Sequence, residues 1–302
     1  MESNDMYTIP LTSGPMSIDL VGTKAASLAT LLSHGIKVPP GFVVNTIAHR
    51  RFLAVNHLDA NPVPQEAIRA AVWPTDLSRE IRSCLDHFSP DTRWAVRSSG
   101  TLEDLAEASF AGQYDTFLDV SSDEVLPRIQ DCWASLASAH AQSYARDHGF
   151  SVQDTAMGVI VQMLVNADAA GVSFSRHPVT GHDSIVINAA YGLGEAVVSG
   201  MVTPDSFEVD KETHAIASQL GFKESQVVLA PQGGTAVVET PLDQQNSFCL
   251  NKAQVIEIAD VTHRLEILAG FPVDVEWAFD KGTLYCLQMR PITLIPSGGM
   301  HS

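Results

Sequence analysis

The sequence predicts a mixed α/β (α+β) fold with two lobes, and three observations support this class. The chain has 302 residues, which is enough for two modest apolar cores. Its composition, 45% hydrophobic and 18% charged residues, is typical of globular rather than disordered proteins. Segments with the apolar spacing of helices are mixed with short strand-forming runs along the whole sequence, and this mixture indicates sheets covered by helices.

The first half of the chain is predicted to form an N-terminal lobe, residues 1–155. Apolar residues at helical spacing predict a helix over 20–33, which ends at Gly35. After it we expect a short strand, two or three helices, a second strand and a long helix, at 42–44, 50–87, 94–96 and 124–148.

The second half is predicted to form a C-terminal lobe, residues 156–295, followed by a flexible tail at 296–302. An uncharged run over 157–163 predicts a strand at the centre of a sheet. Three more strands and a helix follow, at 171–175, 185–189, 203–210 and 252–268. The helix has six candidate core residues, namely Val255, Ile256, Ile258, Ala259, Leu265 and Leu268.

The segment 274–293 predicts a β-hairpin, because two alternating runs flank a turn at 280–282. With Gly282 at the tip, two polar pairs face each other across the hairpin: Glu276 with Gln288, and Asp274 with Arg290. Period-2 alternation then places these four side chains on one face. The other face is expected to hold the apolar residues Val275, Trp277, Tyr285, Leu287 and Met289.

The polar face of this hairpin suggests a nucleotide–metal site. The side-chain oxygens of Glu276 and Gln288 suit a hard cation such as Mg²⁺, and the guanidinium of Arg290 suits phosphate. The alternative is a solvated strand face on which Asp274 and Arg290 form an ordinary cross-strand ion pair.

Two upstream segments suggest phosphate contacts. The small-residue loop 21–24 precedes a helix, whose start offers N–H groups to an anion, and Lys24 adds a positive charge. The loop does not match the Walker A sequence, so a capped helix with a surface lysine is the alternative. Arg97 follows a strand and precedes the hydroxyl residues Ser98, Ser99 and Thr101, an arrangement that resembles an anion clamp.

The loop 107–117 is rich in residues small enough for the backbone to approach a polyphosphate closely, among them Ser109, Ala111 and Gly112. A plain β-turn is the alternative. The segment Gln162–Leu164 ends the uncharged strand. It can offer alternating N–H and C=O groups to adenine, or it is simply part of a core strand. The glycines of 188–195 permit a tight turn from which Glu195 can reach a site.

The charge and composition of the chain limit the kinds of binding partner and the location that we expect. The formal charge of -17 argues against nucleic acid or an anionic membrane surface as partner. No apolar run approaches the ~20 residues of a membrane span, and no secretory signal is visible. The four cysteines form no CxxC pair, which suggests reduced thiols and a cytoplasmic location. The histidines show no metal-ligand spacing.

Four blocks, in this order, resemble the ATP-binding domain shared by phosphoenolpyruvate synthase, pyruvate phosphate dikinase and rifampicin phosphotransferase. The first includes Val-Gly-Thr-Lys24 and Pro-Pro-Gly-Phe42, and the second includes Ala-Val-Arg-Ser-Ser99 and Ser-Phe-Ala-Gly-Gln113. The third includes Pro-Val-Thr-Gly181, Tyr-Gly-Leu-Gly-Glu195 and Thr-Pro-Asp205, and the fourth includes Asp-Val-Glu-Trp277 and Leu-Gln-Met-Arg-Pro-Ile-Thr293. The resemblance covers nearly the whole chain and is weakest over 50–90 and 215–245.

This resemblance implies an ATP-grasp fold, in which two lobes clamp ATP and the C-terminal lobe has a mainly antiparallel sheet. Carried over by position, it implies that Lys24 and Arg97 hold phosphates and that the loop Ser109–Gln113 covers them. It further implies an adenine hinge at Gln162–Leu164 and three residues at the hairpin: Glu276 and Gln288 ligating Mg²⁺, and Arg290 contacting the transferring phosphate. ATP and Mg²⁺ are the expected cofactors.

The sequence departs from the family pattern in two places. The family often has an acidic or amide residue before Pro-Val-Thr-Gly, where this chain has His177. Relatives also continue into a phosphocarrier domain with a catalytic histidine and into an acceptor domain, whereas this sequence ends at Ser302. We therefore expect an ATP-dependent phosphotransferase with a small-molecule acceptor. The alternatives are an ATP-cleaving subunit that passes phosphate to a histidine on a partner chain, an ATP-grasp ligase, and a non-catalytic nucleotide-binding module.

Overall fold

The computed structural model describes residues 6–58, 63–101, 116–137 and 156–292. The chain divides into two compact units: unit 1 comprises Met1–Gly35 and Pro39–Leu164, and unit 2 comprises Ile36–Val38 and Val165–Ser302. The division after Leu164 differs from the predicted boundary between 155 and 156. The strand over 157–163 lies in unit 1 because its two hydrogen-bonded neighbours are strands of that unit. The predicted tail, 296–302, lies outside the described residues.

Unit 1 is built on a five-stranded antiparallel sheet of order β1-β2-β5-β3-β4. Its strands are β1 Thr8–Pro10, β2 Gly41–Val44, β3 Trp94–Gly100, β4 Thr116–Val120 and β5 Met157–Met163. Its α-helices are α1 Ile18–Val21, α2 Thr23–Ser33, α3 Thr46–Val55, α4 Gln65–Ala70, α5 Thr75–Leu85 and α6 Val125–Leu136, with 3-10 turns at Leu11–Ser13 and Ser122–Glu124. The predicted central position of the uncharged strand, β5, is confirmed.

The predicted continuous helix over 20–33 is interrupted at Gly22. This glycine has φ +80°, and a Cβ on it would lie 1.9 Å from the carbonyl oxygen of Ser99. The chain therefore passes close against β3 at this point, where only glycine fits. Strand β3 also continues to Gly100 instead of ending at 96, because residues up to Gly100 pair with β5.

One face of this sheet packs against α6, with Trp94 and Val96 buried among the aromatic residues of the helical layer. The centre of that layer is formed by three mutually contacting rings, Phe52, Trp73 and Trp133. His49 stacks on Trp133 with ring centroids 5.3 Å apart. Burial, with a smaller contribution from the charge of Arg50, lowers the pKa of His49 to about 3.

Unit 2 has a six-stranded antiparallel sheet of order β13-β12-β6-β7-β8-β9 and a separate β10–β11 hairpin. The strands are β6 Ala169–Phe174, β7 Ser184–Tyr191, β8 Asp205–Asp210, β9 Ile216–Gln219, β10 Ser225–Leu229, β11 Thr235–Glu239, β12 Val273–Asp280 and β13 Thr283–Pro291. The helices are α7 Glu195–Val198, α8 Leu242–Gln245 and α9 Lys252–Ala269. The expectation of a mixed fold with a mainly antiparallel C-terminal sheet is confirmed. Among the described residues, no helix is long and apolar enough to cross a membrane.

Helix α9 covers one face of the six-stranded sheet. It begins with a capping box between Asn251 and Gln254 and ends at Gly270 in the left-handed conformation. Of the predicted core residues, Leu268 is 43% exposed and Ile256 is only partly buried. Thr262 is buried instead, where its hydroxyl lies 2.7 Å from that of Ser173. The buried face of α9 is thus narrower than the apolar spacing predicts, and it includes the hydroxyl of Thr262 next to that of Ser173.

A buried carboxylate ties together three segments of unit 2. Asp205 has no exposed surface and forms an ion pair with the equally buried Lys223. It also accepts hydrogen bonds from the backbone N–H of Gly221 and of Cys249, at 2.9 and 2.8 Å. Because both charges are desolvated, removing either partner leaves the other uncompensated. Asp205 of the Thr-Pro-Asp205 block therefore has a structural role, which is to hold these segments together.

The buried, neutral His49 predicts acid sensitivity. Its pKa is about 3 in the folded protein against the ordinary 6.5, so the unfolded chain binds the extra proton between these values. The stability that it contributes is complete above the ordinary pKa and falls by about 1.4 kcal/mol per pH unit as the pH drops toward the folded pKa. We expect His49→Gln to have a shallower pH dependence of the unfolding free energy, measured by urea denaturation. The exposed His87→Gln should match the wild type, and equal slopes in all three proteins would contradict the prediction.

Candidate nucleotide and phosphate site

The hairpin register confirms both predicted polar pairs. In β12 and β13, Glu276 lies opposite Gln288 and Asp274 lies opposite Arg290. The turn has two residues, Lys281 and Gly282, with φ values of 49° and 77°. Positive φ at both positions is the requirement of a type I′ hairpin turn, which is compatible with the strong twist of the flanking strands.

The predicted division of apolar residues is partly wrong, because the hairpin has a bulge. Trp277 pairs with Cys286 while Glu276 pairs with Gln288, so Leu287 is the extra residue. Trp277 packs in the core under α9. Tyr285 and Leu287 instead contact a small cluster around Ala278, on the face of Glu276. The bulge changes which face the even-numbered residues of β13 occupy, so Leu284 and Cys286 are buried while Gln288 and Arg290 join the polar face.

This polar face extends beyond the hairpin. The residues opposite one another across the sheet, from β13 to β9, are Gln288, Glu276, Val172, Asn188, Ser206 and Gln219. The opposite face of the same strands packs against α9. The sequence pattern predicts only that Asn188 belongs to a segment with a glycine turn. Its position two strands, roughly 10 Å, from Glu276 depends on the β6–β7 register.

Asp274 and Arg290 form a partly buried ion pair across the hairpin. The guanidinium Nε donates to Asp274 Oδ2 at 2.8 Å, and the carboxylate side chain is 8% exposed. The other oxygen, Oδ1, is buried and has no hydrogen-bond partner within the described part of the chain. Burial raises the pKa of Asp274, the Arg290 charge and hydrogen bond oppose this, and the nearby Glu276 charge adds to it. The carboxylate therefore depends on Arg290 for compensation.

The Glu276–Gln288 pair suits a magnesium ion chemically. A carboxylate and an amide oxygen are hard donors, and both residues are partly exposed on directly opposed strand positions. In the described ranges, no group of three His, Cys, Asp or Glu residues could hold a metal. Mg²⁺ bound next to nucleotides usually takes several of its ligands from water and from phosphate oxygens, so it needs few ligands from the protein.

In unit 1, the loop before Lys24 is fixed against β3. Ser99 Oγ accepts from the N–H of Ala25 at 3.1 Å, and Thr23 Oγ1 donates to the carbonyl of Gly100 at 3.2 Å. Arg97 lies on the same β3 face as Ser99 by strand alternation. Both Lys24 and Arg97 are partly exposed. The sheet thus holds the two predicted phosphate-binding cations on one side of unit 1.

The hydroxyl residues beside Arg97 do not form the expected clamp. Ser98 and Ser99 are fully buried, and Ser99 Oγ is used by the α2 start. The residues of the predicted phosphate loop, namely Ser109, Ala111, Gly112 and Gln113, lie outside the described residues.

The predicted adenine hinge is mostly occupied by protein contacts. Gln162 is buried, and its amide donates to the carbonyl of Pro39 at 3.1 Å. The backbone N–H groups of Met163 and Leu164 donate to the carbonyls of Pro40 and Arg93, each at 2.8 Å. A ligand therefore cannot use these N–H groups without displacing a sheet hydrogen bond, which leaves carbonyl groups as the natural contacts.

His177 closes the turn that follows β6. Its Nδ1 accepts from the backbone N–H of Val179 and of Thr180, each at 3.2 Å. An acidic or amide side chain would use an oxygen in the same way, as in an Asx turn. The departure from the family pattern at this position therefore preserves the turn.

The pair of Asp274 and Arg290 predicts a measurable coupling. Arg290→Met should lower the free energy of unfolding by about 1.5–3 kcal/mol, because it removes a charge-assisted hydrogen bond from a buried carboxylate. The same substitution in an Asp274→Asn background should cost clearly less, since no buried charge is left unpaired. Chemical denaturation of the four proteins gives the double-mutant cycle. Additive effects would show that the two side chains do not depend on each other.

Comparison with known proteins supports one family. Residues 18–300 match the profile described as the pyruvate phosphate dikinase, AMP/ATP-binding domain. The chain is 40% identical over 294 residues to an uncharacterized phosphotransferase, YvkC, of Bacillus subtilis, covering 96% of this chain and 35% of that protein. It is 34% identical over 346 residues to phosphoenolpyruvate synthase of Pyrococcus furiosus, covering 92% and 42% of the two chains.

A third relative is rifampicin phosphotransferase of Streptomyces sviceus, 37% identical over 301 residues, with 92% of this chain and 35% of that protein covered. The chain thus spans well under half the length of these relatives. A D-alanine–D-alanine ligase from Bacillus anthracis has a distant structural likeness, with a TM-score of 0.34 and 7% identity over 89% of this chain and 55% of that one. Because the family profile covers nearly the whole sequence, the chain belongs to the family of the pyruvate phosphate dikinase AMP/ATP-binding domain.

Proposed function

We propose that this domain binds ATP with Mg²⁺ and takes part in ATP-dependent phosphotransfer. The observation that carries the proposal is the polar face of the β12–β13 hairpin, where Glu276 opposes Gln288 and Arg290 is bonded to the buried Asp274. Phosphoryl transfer needs positioning and charge neutralisation more than covalent chemistry, and this face carries two hard oxygen donors that suit a cation and a guanidinium fixed by a carboxylate.

In this proposal the residues of the hairpin have separate roles. Glu276 and Gln288 hold Mg²⁺, which when bound neutralises charge on the phosphates. Arg290 contacts the transferring phosphoryl group, while its Nε donates to Asp274. Asp274 is a positioning residue, because its hydrogen bond fixes the plane of the guanidinium.

The residues of unit 1 are proposed to bind the rest of the nucleotide. Lys24 and Arg97 contact phosphate oxygens, and the loop Ser109–Gln113 covers the phosphates, as the family resemblance implies. Gln162–Leu164 contribute to the adenine site, with the Met163 carbonyl as the contact to the base. We also propose a cytoplasmic location, because none of the four cysteines forms a disulfide bond in the part of the chain that the structure describes.

The acceptor is proposed to be a small molecule, by analogy with the relative that is named for rifampicin. A second candidate is a histidine on another chain, and a specific observation favours it: the relatives are more than twice as long as the part matched here. Fold and family leave this choice to experiment. In either case we propose AMP as the nucleotide product, because the family description pairs AMP with ATP. Of the two phosphates that ATP then loses, one passes to the acceptor and the other is released to water as inorganic phosphate.

The nucleotide product tests the reaction class. Purified protein incubated with ATP, Mg²⁺ and either pyruvate or rifampicin should convert ATP to AMP, which chromatography separates from ADP. Accumulation of ADP would contradict dikinase-type cleavage and indicate a simple kinase or ligase. Nucleotide binding by calorimetry without turnover, even when a purified histidine phosphocarrier domain of a relative is added, would support a binding module.

The metal assignment predicts a selective defect in Glu276→Gln. The substitution keeps the size of the side chain but removes its charge, so the Mg²⁺ concentration for half-maximal ATP turnover should rise at least about tenfold. If turnover is absent, the Mg²⁺ dependence of ATP binding gives the same comparison. Glu208→Gln is the matched control, since Glu208 lies on the same sheet face but three strands away from Glu276. An unchanged Mg²⁺ dependence in Glu276→Gln would refute the ligand role.

A further inference from the structure

The carbonyl of Met163 lacks the partner that an antiparallel ladder normally supplies. The register of β2 and β5 places Gly41 opposite Gln162, so Pro40 lies opposite Met163. The N–H of Met163 donates to the Pro40 carbonyl at 2.8 Å, which makes this a hydrogen-bonded pair. Such a pair exchanges two bonds, and the second would run from the N–H of residue 40 to the Met163 carbonyl. Proline has no N–H, so this bond cannot form.

The other neighbouring strand cannot fill the gap. Leu164 donates to the carbonyl of Arg93 at 2.8 Å, so residues 93 and 164 form a hydrogen-bonded pair on the β3 side. Hydrogen-bonded and non-hydrogen-bonded pairs alternate, and the adjacent pair, Trp94 with Met163, is therefore of the second kind. The polar backbone groups of Met163 point toward β2, where Pro40 offers an acceptor but no donor.

Pro40 is held in this position by its neighbours. The buried side chain of Gln162 donates to the carbonyl of Pro39 at 3.1 Å. Next to it, a Cβ on Gly41 would lie 2.2 Å from the carbonyl oxygen of Val161, so the backbones of β2 and β5 approach very closely here. The Pro-Pro-Gly sequence thus extends the pairing with β5 to residue 40, where proline lacks the N–H that would complete the second hydrogen bond.

We propose that Pro40 is a specificity-determining residue for the base of the bound nucleotide. By leaving the Met163 carbonyl without a backbone donor, it reserves a hydrogen-bond acceptor for the exocyclic amine of adenine. A backbone carbonyl left unpaired is costly unless a ligand or water satisfies it, so the site favours a base that brings a donor. The inference rests on the proposed function, in which adenine binds at the end of β5.

The test compares two nucleotides and two proline variants. Pro40→Ala restores an amide hydrogen opposite Met163 and should weaken ATP binding roughly 3- to 10-fold, the value of one hydrogen bond. Binding of purine riboside triphosphate, which lacks the 6-amino group, should stay within about twofold in the same variant. Pro39→Ala is the matched control, because it relaxes the same dipeptide while the amide of residue 39 points to the other side of the strand. It should keep the wild-type preference for ATP.

A second measurement needs no nucleotide. In Pro40→Ala, hydrogen exchange followed by NMR should show the amide introduced at position 40 to be protected, because it pairs with the Met163 carbonyl. Exchange at the unprotected rate would overturn the geometric basis of the inference.

The binding outcomes separate this inference from the proposed function. Equal weakening of both nucleotides in Pro40→Ala would assign the proline a structural role and overturn the inference. Equal binding of both nucleotides by the wild-type protein would also overturn the inference, but it would not contradict the proposed function, because ATP would still bind. A wild-type protein that binds neither nucleotide would refute the proposed function itself.

Discussion

The bulge at Leu287 is the constraint on which the candidate site depends. Strand β13 must bury Leu284 and Cys286 and also present Gln288 and Arg290 on the opposite face. In a regular strand, residues separated by an even number of positions share one face, so these two demands conflict. One extra residue resolves the conflict, because it changes the alternation for everything that follows. The polar face of the candidate site is thus obtained while Leu284 and Cys286 stay buried.

The same kind of local irregularity recurs in unit 1. There the interruption is a missing donor: Pro40 occupies a ladder position and cannot complete the second hydrogen bond to Met163. Backbone groups that are paired between neighbouring strands of a regular sheet are not available to a ligand. The extra residue in β13 changes the face on which the following side chains lie, whereas the proline next to β2 leaves one backbone carbonyl without its ladder donor. The rest of each sheet stays regular and holds these groups in place.

The sequence predicts the pairing of Glu276 with Gln288, because the turn residues and the period-2 pattern both point to it. It does not predict the bulge, since the apolar residues Tyr285, Leu287 and Met289 fit an unbroken alternation equally well. The uncharged run of β5 predicts its central position. The hydrogen bonds from the N–H groups of Met163 and Leu164 to Pro40 and Arg93 depend on long-range register that no local pattern contains.

Side-chain burial sets a further limit on prediction. Ser98 and Ser99 are small hydroxyl residues beside an arginine, which suggests an anion clamp, but tertiary packing buries both. Small polar side chains fit a packed interior when a close backbone approach requires small volume, as the contact of Gly22 with Ser99 does here. The proposed phosphate-binding role of Lys24 and Arg97 comes from the family resemblance, because composition alone does not distinguish them from surface cations.

The formal charge of -17 favours a cation beside any phosphate that binds this protein. A polyphosphate approaching a strongly negative protein is repelled, and the guanidinium of Arg290 is already paired with the Asp274 carboxylate. In the proposed site, a divalent cation on Glu276 and Gln288 would counter this repulsion at short range, where screening by salt is weakest. Metal binding is therefore proposed as a condition for phosphate binding at the hairpin.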